Sequence, residues 1–262
     1  MSKPAKAYKN LEFLNSPEAR TVRILCEYEE PKRRFDQHNV QDTVVCFGSA
    51  RTLPVVDAER LVAEAKASGD ADAITHAEGK LRSSRYYEDA RAFAREMTQW
   101  SQDRGGRDYL ICTGGGPGIM EAANRGAADV PGGRSIGLGI SLPFEEGLNP
   151  YITPGLDFEF HYFFTRKYWF MYLAKALVVF PGGFGTFDEL MELLTLVQTG
   201  KVKKQLPIVL FGTEYWDDVL NVEKMVEWGT ISPKDLDLMY RSDSVADTVA
   251  YLTAKLEEEE RA

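Results

Sequence analysis

One pattern occurs twice in this chain and restricts its fold more than any other: an apolar run, a glycine-rich turn, then a segment with helical spacing. The first instance is Tyr109 to Thr113, Gly114-Gly115-Gly116-Pro117-Gly118, and Ile119 to about Asp129. The second is Ala176 to Phe180, Pro181-Gly182-Gly183-Phe184-Gly185-Thr186, and a helix to about Thr199. Short apolar runs bounded by turn residues read as strands buried on both faces. Thr43 to Phe47, ending in Gly48-Ser49, Ser135 to Ile140, and Pro207 to Phe211 have the same character. Phe158 and Phe160 alternate as strand residues do, and helices are expected over Tyr215–Trp228 and Ser244–Glu260. Strands alternating with helices require right-handed crossovers, so the predicted fold is α/β: a doubly wound, Rossmann-like parallel sheet with helices on both faces.

The remaining segments decorate that core. Ser16-Pro17-Glu18 resembles a helix opening, with Ser as N-cap, Pro at the first helical position and an acid near the positive end of the dipole. That helix is expected to run to about Val40, with Val22, Leu25, Cys26 and Phe35 lying against the main body or a partner. Residues 55–83 are rich in Ala, Asp, Glu and Lys and read as an insertion that forms a helical hairpin with a helix at about 84–104. Little chemistry is expected of it. The whole of 1–262 is read as one domain, with an N-terminal helical extension over 1–42.

Several function classes are disfavoured. The net charge of −9 argues against coating a nucleic-acid backbone, although a local basic pocket for a small phosphate stays open. No apolar run is long enough to span a bilayer, and the N-terminal MSKPAKAYKN has no apolar signal segment, so the chain reads as cytoplasmic. Cys26, Cys46 and Cys112 have no CxxC spacing and read as reduced core residues. His38, His76 and His161 are scattered, which supports neither a zinc site nor a Ser-His-Asp triad. The expectation is a site without metal or cofactor.

Both glycine loops stand between a strand end and a helix start, where open parallel sheets bind ligands. Glycine offers no side chain to block a phosphate, and its backbone can turn so that successive N–H groups converge on an anion beside a helix N-terminus. An unoccupied tight turn is the alternative for either loop alone. A Walker A loop would need a lysine where Gly185 meets Thr186, and Gly114 to Gly118 departs from G-x-G-x-x-G.

The run Gly114-Gly115-Gly116-Pro117-Gly118-Ile119-Met120-Glu121-Ala122-Ala123, then Arg166-Lys167, then Pro181-Gly182-Gly183-Phe184-Gly185-Thr186-Phe187-Asp188-Glu189-Leu190 resembles the Lonely Guy (LOG) family, once described as lysine decarboxylases. The resemblance spans roughly Val44 to Gly212, and the added segments make the chain similar to the longer bacterial members. It implies a nucleoside 5'-monophosphate phosphoribohydrolase without cofactor or metal, acting on AMP or an N6-modified AMP such as a cytokinin nucleotide. It also implies a homo-oligomer, a dimer or hexamer. In that family the arginine of the Arg-Lys pair and the last acid of PGGxGTxxE carry catalysis, which falls here on Arg166 and Glu189. Asp188 stands where members often have glutamate, a departure without consequence if only the second acid acts.

Each of these residues also has a plainer reading. Thr186 to Glu189 fits a capping box, and Arg166 fits a surface salt bridge. In the functional reading Glu189 stabilises a ribosyl cation-like state and accepts a proton from water, while Arg166 holds substrate oxygens. Gly182, Gly183, Gly185 and Thr186 are expected to cradle the phosphate, and Gly115, Gly116 and Gly118 to line the opposite wall. Met120 and Glu121 are placed near base or ribose by the resemblance, Ser49 and Arg51 are candidate nucleotide contacts, and Lys167 fits either a substrate contact or a surface role. The aromatic residues from Phe158 to Tyr172 are expected to pack in the core or between subunits, and Glu257 to Glu260 to form a solvated helix end. The competing function is a non-catalytic nucleotide or molybdenum-cofactor carrier of similar fold. Lysine decarboxylation would need a pyridoxal phosphate lysine, for which the sequence carries no signal.

Overall fold

A computed structural model of the chain describes residues 4–142 and 147–261. In chain order the elements are α1 (Leu11–Leu14), α2 (Arg20–Gln37), β1 (Thr43–Phe47), α3 (Val55–Ser68), α4 (Ala71–Asp103), β2 (Leu110–Thr113), α5 (Ile119–Ala128), β3 (Ser135–Ile140) and β4 (Asp157–Phe160). They continue with α6 (Phe163–Leu173), β5 (Ala174–Val179), α7 (Phe184–Gln198), β6 (Ile208–Phe211), α8 (Thr213–Val219), α9 (Val222–Glu227), β7 (Met239–Ser242) and α10 (Val245–Glu260). The strands form one sheet in the order β4-β3-β2-β1-β5-β6-β7, and every neighbouring pair is parallel.

The chain adds strands outward from β1 to β4 on one side, then restarts at β5 on the other side of β1. The order therefore reverses between β1 and β5, and the strand ends there open a crevice. Alternate side chains of each strand go to opposite faces. Val44, Cys46, Ile111, Ala176 and Val178 pack with α4, α5 and α10 on one face. Val45, Phe47, Cys112, Leu177 and Val179 pack on the other with Phe35 of α2, Trp169 and Phe170 of α6, Leu190 and Leu193 of α7, and Trp216 of α8. All five residues of β1 are buried, which is why the run has no polar alternation.

Several sequence expectations are corrected. The hairpin turns at Gly69, left-handed at φ 72°, and Asp70, whose carboxylate caps α4; no break occurs near residue 83, so 71–83 belong to one long helix. Ser16 does not cap a helix: its hydroxyl donates to Phe13 O at 2.7 Å, Pro17–Ala19 form a 3-10 turn, and α2 starts at Arg20. Of the α2 positions expected to lie against the main body or a partner, Phe35 lies against the main body and Val22, Leu25 and Cys26 do not; Cys46 and Cys112 are core cysteines, and Cys26 is exposed in the single chain. The helix expected over Tyr215–Trp228 is two helices, because Asn221 accepts from Lys224 N and restarts the chain as α9.

The acidic end of α10 is engaged rather than simply solvated. Glu257 and Glu260 pair with Arg104, Glu260 accepts from the Tyr109 hydroxyl, and Glu259 pairs with Lys175. Carboxylates at a helix C-terminus meet the negative end of the dipole, and cations from α4 and β5 offset that repulsion. The aromatic run divides. Phe158, Phe160, Tyr162, Trp169 and Phe170 are buried, while Phe163, Phe164, Tyr168 and Tyr172 are exposed.

Candidate active site

The glycine loop after β2 is shaped by a buried polar network. Thr113 Oγ1 accepts from Gly115 N at 2.9 Å and donates to Asn124 Oδ1 at 2.7 Å. Asn149 Nδ2 donates to Gly115 O at 3.0 Å, Gly116 O at 3.1 Å and Asn124 Oδ1 at 2.9 Å. Buried polar groups need such partners, and here those partners fix the loop's backbone. Gly118 has φ 71°, and a Cβ on it would lie 2.3 Å from Ser49 O, which accepts from Ile119 N at 3.0 Å. The β1 and β2 loops are thus in backbone contact at Gly118.

The second loop joins the same rim. Ser49 N donates to Pro181 O at 2.9 Å, and the Tyr215 hydroxyl donates to Gly182 O. A Cβ on Gly182 would lie 2.1 Å from Thr186 Oγ1, so close packing against Thr186 requires glycine there. Around Gly183 and Gly185 the same construction meets nothing within 4 Å. Helix α7 begins at Phe184 with Gly183 as N-cap and no side-chain cap. The capping-box reading of Thr186 and Glu189 therefore fails: the helix starts earlier than that box needs, and Glu189 lies beyond the first turn.

Between the loops sits the pair Arg166 and Glu189. Arg166, on α6, is 8% exposed; its Nε donates to Leu138 O at 2.6 Å and its Nη1 to Glu189 Oε1 at 3.2 Å. The Phe170 ring lies 5.0 Å from the guanidinium. The surface-salt-bridge reading of Arg166 is overturned, since both partners' side chains are largely withdrawn from water. A Cβ on Gly114 would lie 2.5 Å from Arg166 Nη2 and 2.7 Å from Met120 Sδ, and one on Gly116 would lie 2.8 Å from Met120 Cε. The first loop is therefore glycine where Arg166 and Met120 lie over it.

Burial pushes the Glu189 carboxyl up to about 7; Arg166 and Lys167 pull it down, and Asp188 and Glu192 push it further up. Desolvation dominates because a single cation at 3.2 Å does not replace the water that the carboxylate lost. A carboxyl titrating near neutrality can both accept and return a proton, the property required of an acid–base group.

The other candidates divide. Lys167 turns to the outer face of α7 and pairs with Asp188 at 2.9 Å and Glu192 at 2.7 Å. Glu121 accepts from the Tyr87 hydroxyl of α4 at 2.7 Å, which engages it with that helix rather than with Arg166. Ser49 and Arg51 line a cavity of about 290 Å³ together with Pro181 and Gly182. Glu189 itself borders a crevice of about 10 Å³, with Phe47, Phe170 and Leu193. The acid–base capacity lies with the pair rather than with the roomier cavity, because the pair holds the perturbed carboxyl. Sequence reasoning missed Thr113, Asn124 and Asn149. The available signal was Asn124 on the apolar, Ala-rich face of α5, where a polar residue needs a buried partner.

Comparison with known proteins extends this picture. The family described as "possible lysine decarboxylase" matches residues 120–252, a span that includes Arg166 and Glu189. The chain is 35% identical over 127 residues to the pyrimidine/purine nucleotide 5'-monophosphate nucleosidase of Escherichia coli (strain K12), covering 44% of this chain and 27% of that protein. It is 36% identical over 87 residues to the cytokinin riboside 5'-monophosphate phosphoribohydrolase LOG3 of Arabidopsis thaliana, covering 32% of this chain and 38% of that one. The chain thus spans well under half the length of these curated relatives. Among solved structures, the molybdenum cofactor binding protein of Rippkaea orientalis aligns with a TM-score of 0.50 at 14% identity over 82% of this chain and 98% of that one, a likeness of fold. With half of its length matched by the family model, the chain belongs to the "possible lysine decarboxylase" family, the LOG family that its glycine motifs resemble.

Proposed function

We propose that the protein hydrolyses the N-glycosidic bond of a nucleoside 5'-monophosphate, releasing the free base and ribose 5-phosphate. The observation that carries this reading is the buried Arg166–Glu189 pair set beside both glycine loops, with the carboxyl pushed up to about 7. The names of the relatives, a nucleotide 5'-monophosphate nucleosidase and a cytokinin riboside 5'-monophosphate phosphoribohydrolase, support the same reaction class.

In this reading the C–N bond breaks as C1' gains cationic character, and the Glu189 carboxylate stabilises that charge. Water adds to C1', Glu189 accepts its proton, and a proton returns to the departing base. Arg166 is anchored by Leu138 O and Glu189, which fixes its guanidinium beside the site, where its planar fork suits ribose or phosphate oxygens. The 5'-phosphate sits at the uncapped start of α7, where Gly183 and Gly185 leave open space. Met120, unbranched and adaptable, covers the first loop and can yield to the ribose. AMP or an N6-modified AMP is the substrate proposed. Assembly as a homo-oligomer is supported by exposed aromatic side chains, including Phe184 at 97% exposure beside the second loop.

The test is base release from AMP, isopentenyladenosine monophosphate, GMP and CMP, followed by chromatography beside Glu189→Ala and Arg166→Ala. Release that requires the 5'-phosphate and vanishes in both variants is expected. Nucleotide binding without base release from any of the four would overturn the hydrolase reading and favour a carrier.

A further inference from the structure

The space between the β1 loop, the Pro181–Gly182 turn and the first half of α4 is the cavity of about 290 Å³ noted above, near the lower end of ligand-pocket sizes. Its wall carries four cations, Arg51, Lys80, Arg82 and Arg85, against two acids, Glu214 and Asp218. That leaves an excess of two positive charges in a chain whose net charge is −9. Arg85 and Glu214 neutralise one another at 2.5 Å. Among the described residues, no carboxylate pairs with Arg51, Lys80 or Arg82; Lys80 donates instead to Arg51 O at 2.8 Å. Burial, and then the Arg51 charge, hold the Lys80 ammonium below the ordinary lysine value. Cations that outnumber the acids around a concave space focus a positive field into it.

A second observation is independent of charge. Gly79 lies inside the continuous helix α4 at the cavity wall, and a glycine in a helix interior weakens the helix. Close packing normally explains such a glycine, yet a Cβ at Gly79 would meet no atom within 4 Å. What the missing side chain leaves is room on the cavity wall.

We propose that this cavity binds a small molecule carrying at least two phosphate groups, held by Arg51, Lys80 and Arg82, at a site separate from the Arg166–Glu189 pair. Arginine forks match phosphate oxygens in pairs, and cations spread over one wall suit an anion with several charged groups. The separation is in the lining: the cavity and the crevice beside Glu189 have no lining residue in common. The cavity lies at the ends of β1 and β5, between α4 on one face of the sheet and Glu214, Tyr215 and Asp218 of α8 on the other. The two sites share a border at Gly182, so occupancy of one bears on the turn that opens the other. The proposal stands whether or not the protein is a hydrolase, and it gives the helical hairpin a ligand-binding role that its composition did not suggest.

The test is calorimetric titration of the full chain with inorganic tripolyphosphate, ATP and adenosine. The wild type is compared with Lys80→Ala/Arg82→Ala, Gly79→Tyr, Glu189→Gln, and a control, Lys201→Ala/Lys203→Ala, that removes two exposed lysines elsewhere. Tripolyphosphate and ATP should bind the wild type, the control and Glu189→Gln alike, and adenosine should not bind. Affinity should fall by about ten-fold or more in Lys80→Ala/Arg82→Ala. A similar fall is expected in Gly79→Tyr, which keeps every charge but fills the space, with thermal melts confirming that it folds. ATP binding tighter than tripolyphosphate would identify a nucleotide, and equal affinity the phosphate chain alone; both support the site. Absence of tripolyphosphate binding to the wild type, an equal fall in the control, or a fall confined to Glu189→Gln would overturn it.

Discussion

Replacing Glu189 by Gln should make the protein more stable at alkaline pH and change it far less in acid. The carboxyl's ordinary value is 4.5, and burial raises it to about 7 in the folded chain. Between those values the folded state binds more protons than the unfolded one, so this group's contribution to stability falls as pH rises. With these two constants, linkage gives a cost of roughly 3.4 kcal/mol at pH 8.5 and roughly 0.8 kcal/mol at pH 5. Gln has nearly the same volume, can still accept from Arg166 and does not titrate. The variant's advantage over wild type should therefore grow by about 2.5 kcal/mol between the two pH values, or about 5–10 °C in Tm for a chain of this size. Other titrating groups cancel in the difference. Chemical denaturation of both proteins at pH 5 and pH 8.5 measures it. An advantage that is the same at both pH values, or larger at pH 5, would refute the claim that desolvation outweighs the Arg166 ion pair.

Further predictions follow the same geometry. If Glu189 must be ionised to act, kcat/KM for AMP should rise with pH and level off above about 7, with the inflection reporting the carboxyl of the free enzyme; a flat profile from pH 5.5 to 8.5 would count against it. Gly114→Ala drives a methyl group to 2.5 Å from Arg166 Nη2, so activity should fall on the order of 100-fold while the variant stays folded, as steady-state rates and a thermal melt would show. Asn124→Ala removes the buried acceptor shared by the Thr113 hydroxyl and Asn149 Nδ2, and should cost about 1–3 kcal/mol in urea unfolding. Phe184→Ser, at a side chain 97% exposed, should leave the stability of the isolated chain within about 0.5 kcal/mol; any larger loss would mean that Phe184 is covered in solution, which sedimentation would reveal.

The central strands and both glycine loops were legible because their signals are local. A buried parallel strand shows its apolar run, and a turn that needs glycine shows the glycine. β7 was not legible: Met239–Ser242 is an edge strand with a half-buried, mixed sequence, and pairing with β6 alone makes it a strand. The start of α7 was misread for a related reason. Thr186 and Glu189 have the spacing of a capping box, but the backbone enters the helix at Phe184, where the packing of Gly182 on Thr186 has already fixed the turn.

By itself, then, the sequence determined the alternation of strand and helix and the two glycine turns, carried by spacing along the chain, while Arg166 and Glu189 were singled out by the resemblance of their motifs to the LOG family. Only the tertiary structure decided that Leu138, Gly114 and Phe170 surround that arginine, and that burial lifts the Glu189 carboxyl toward neutrality. It likewise decided that Lys167 turns outward and that α4 brings Lys80 and Arg82 to a cavity beside the second loop. Desolvation and close approach depend on which distant segments meet, and that is set by the strand order around β1 rather than by any local run of residues.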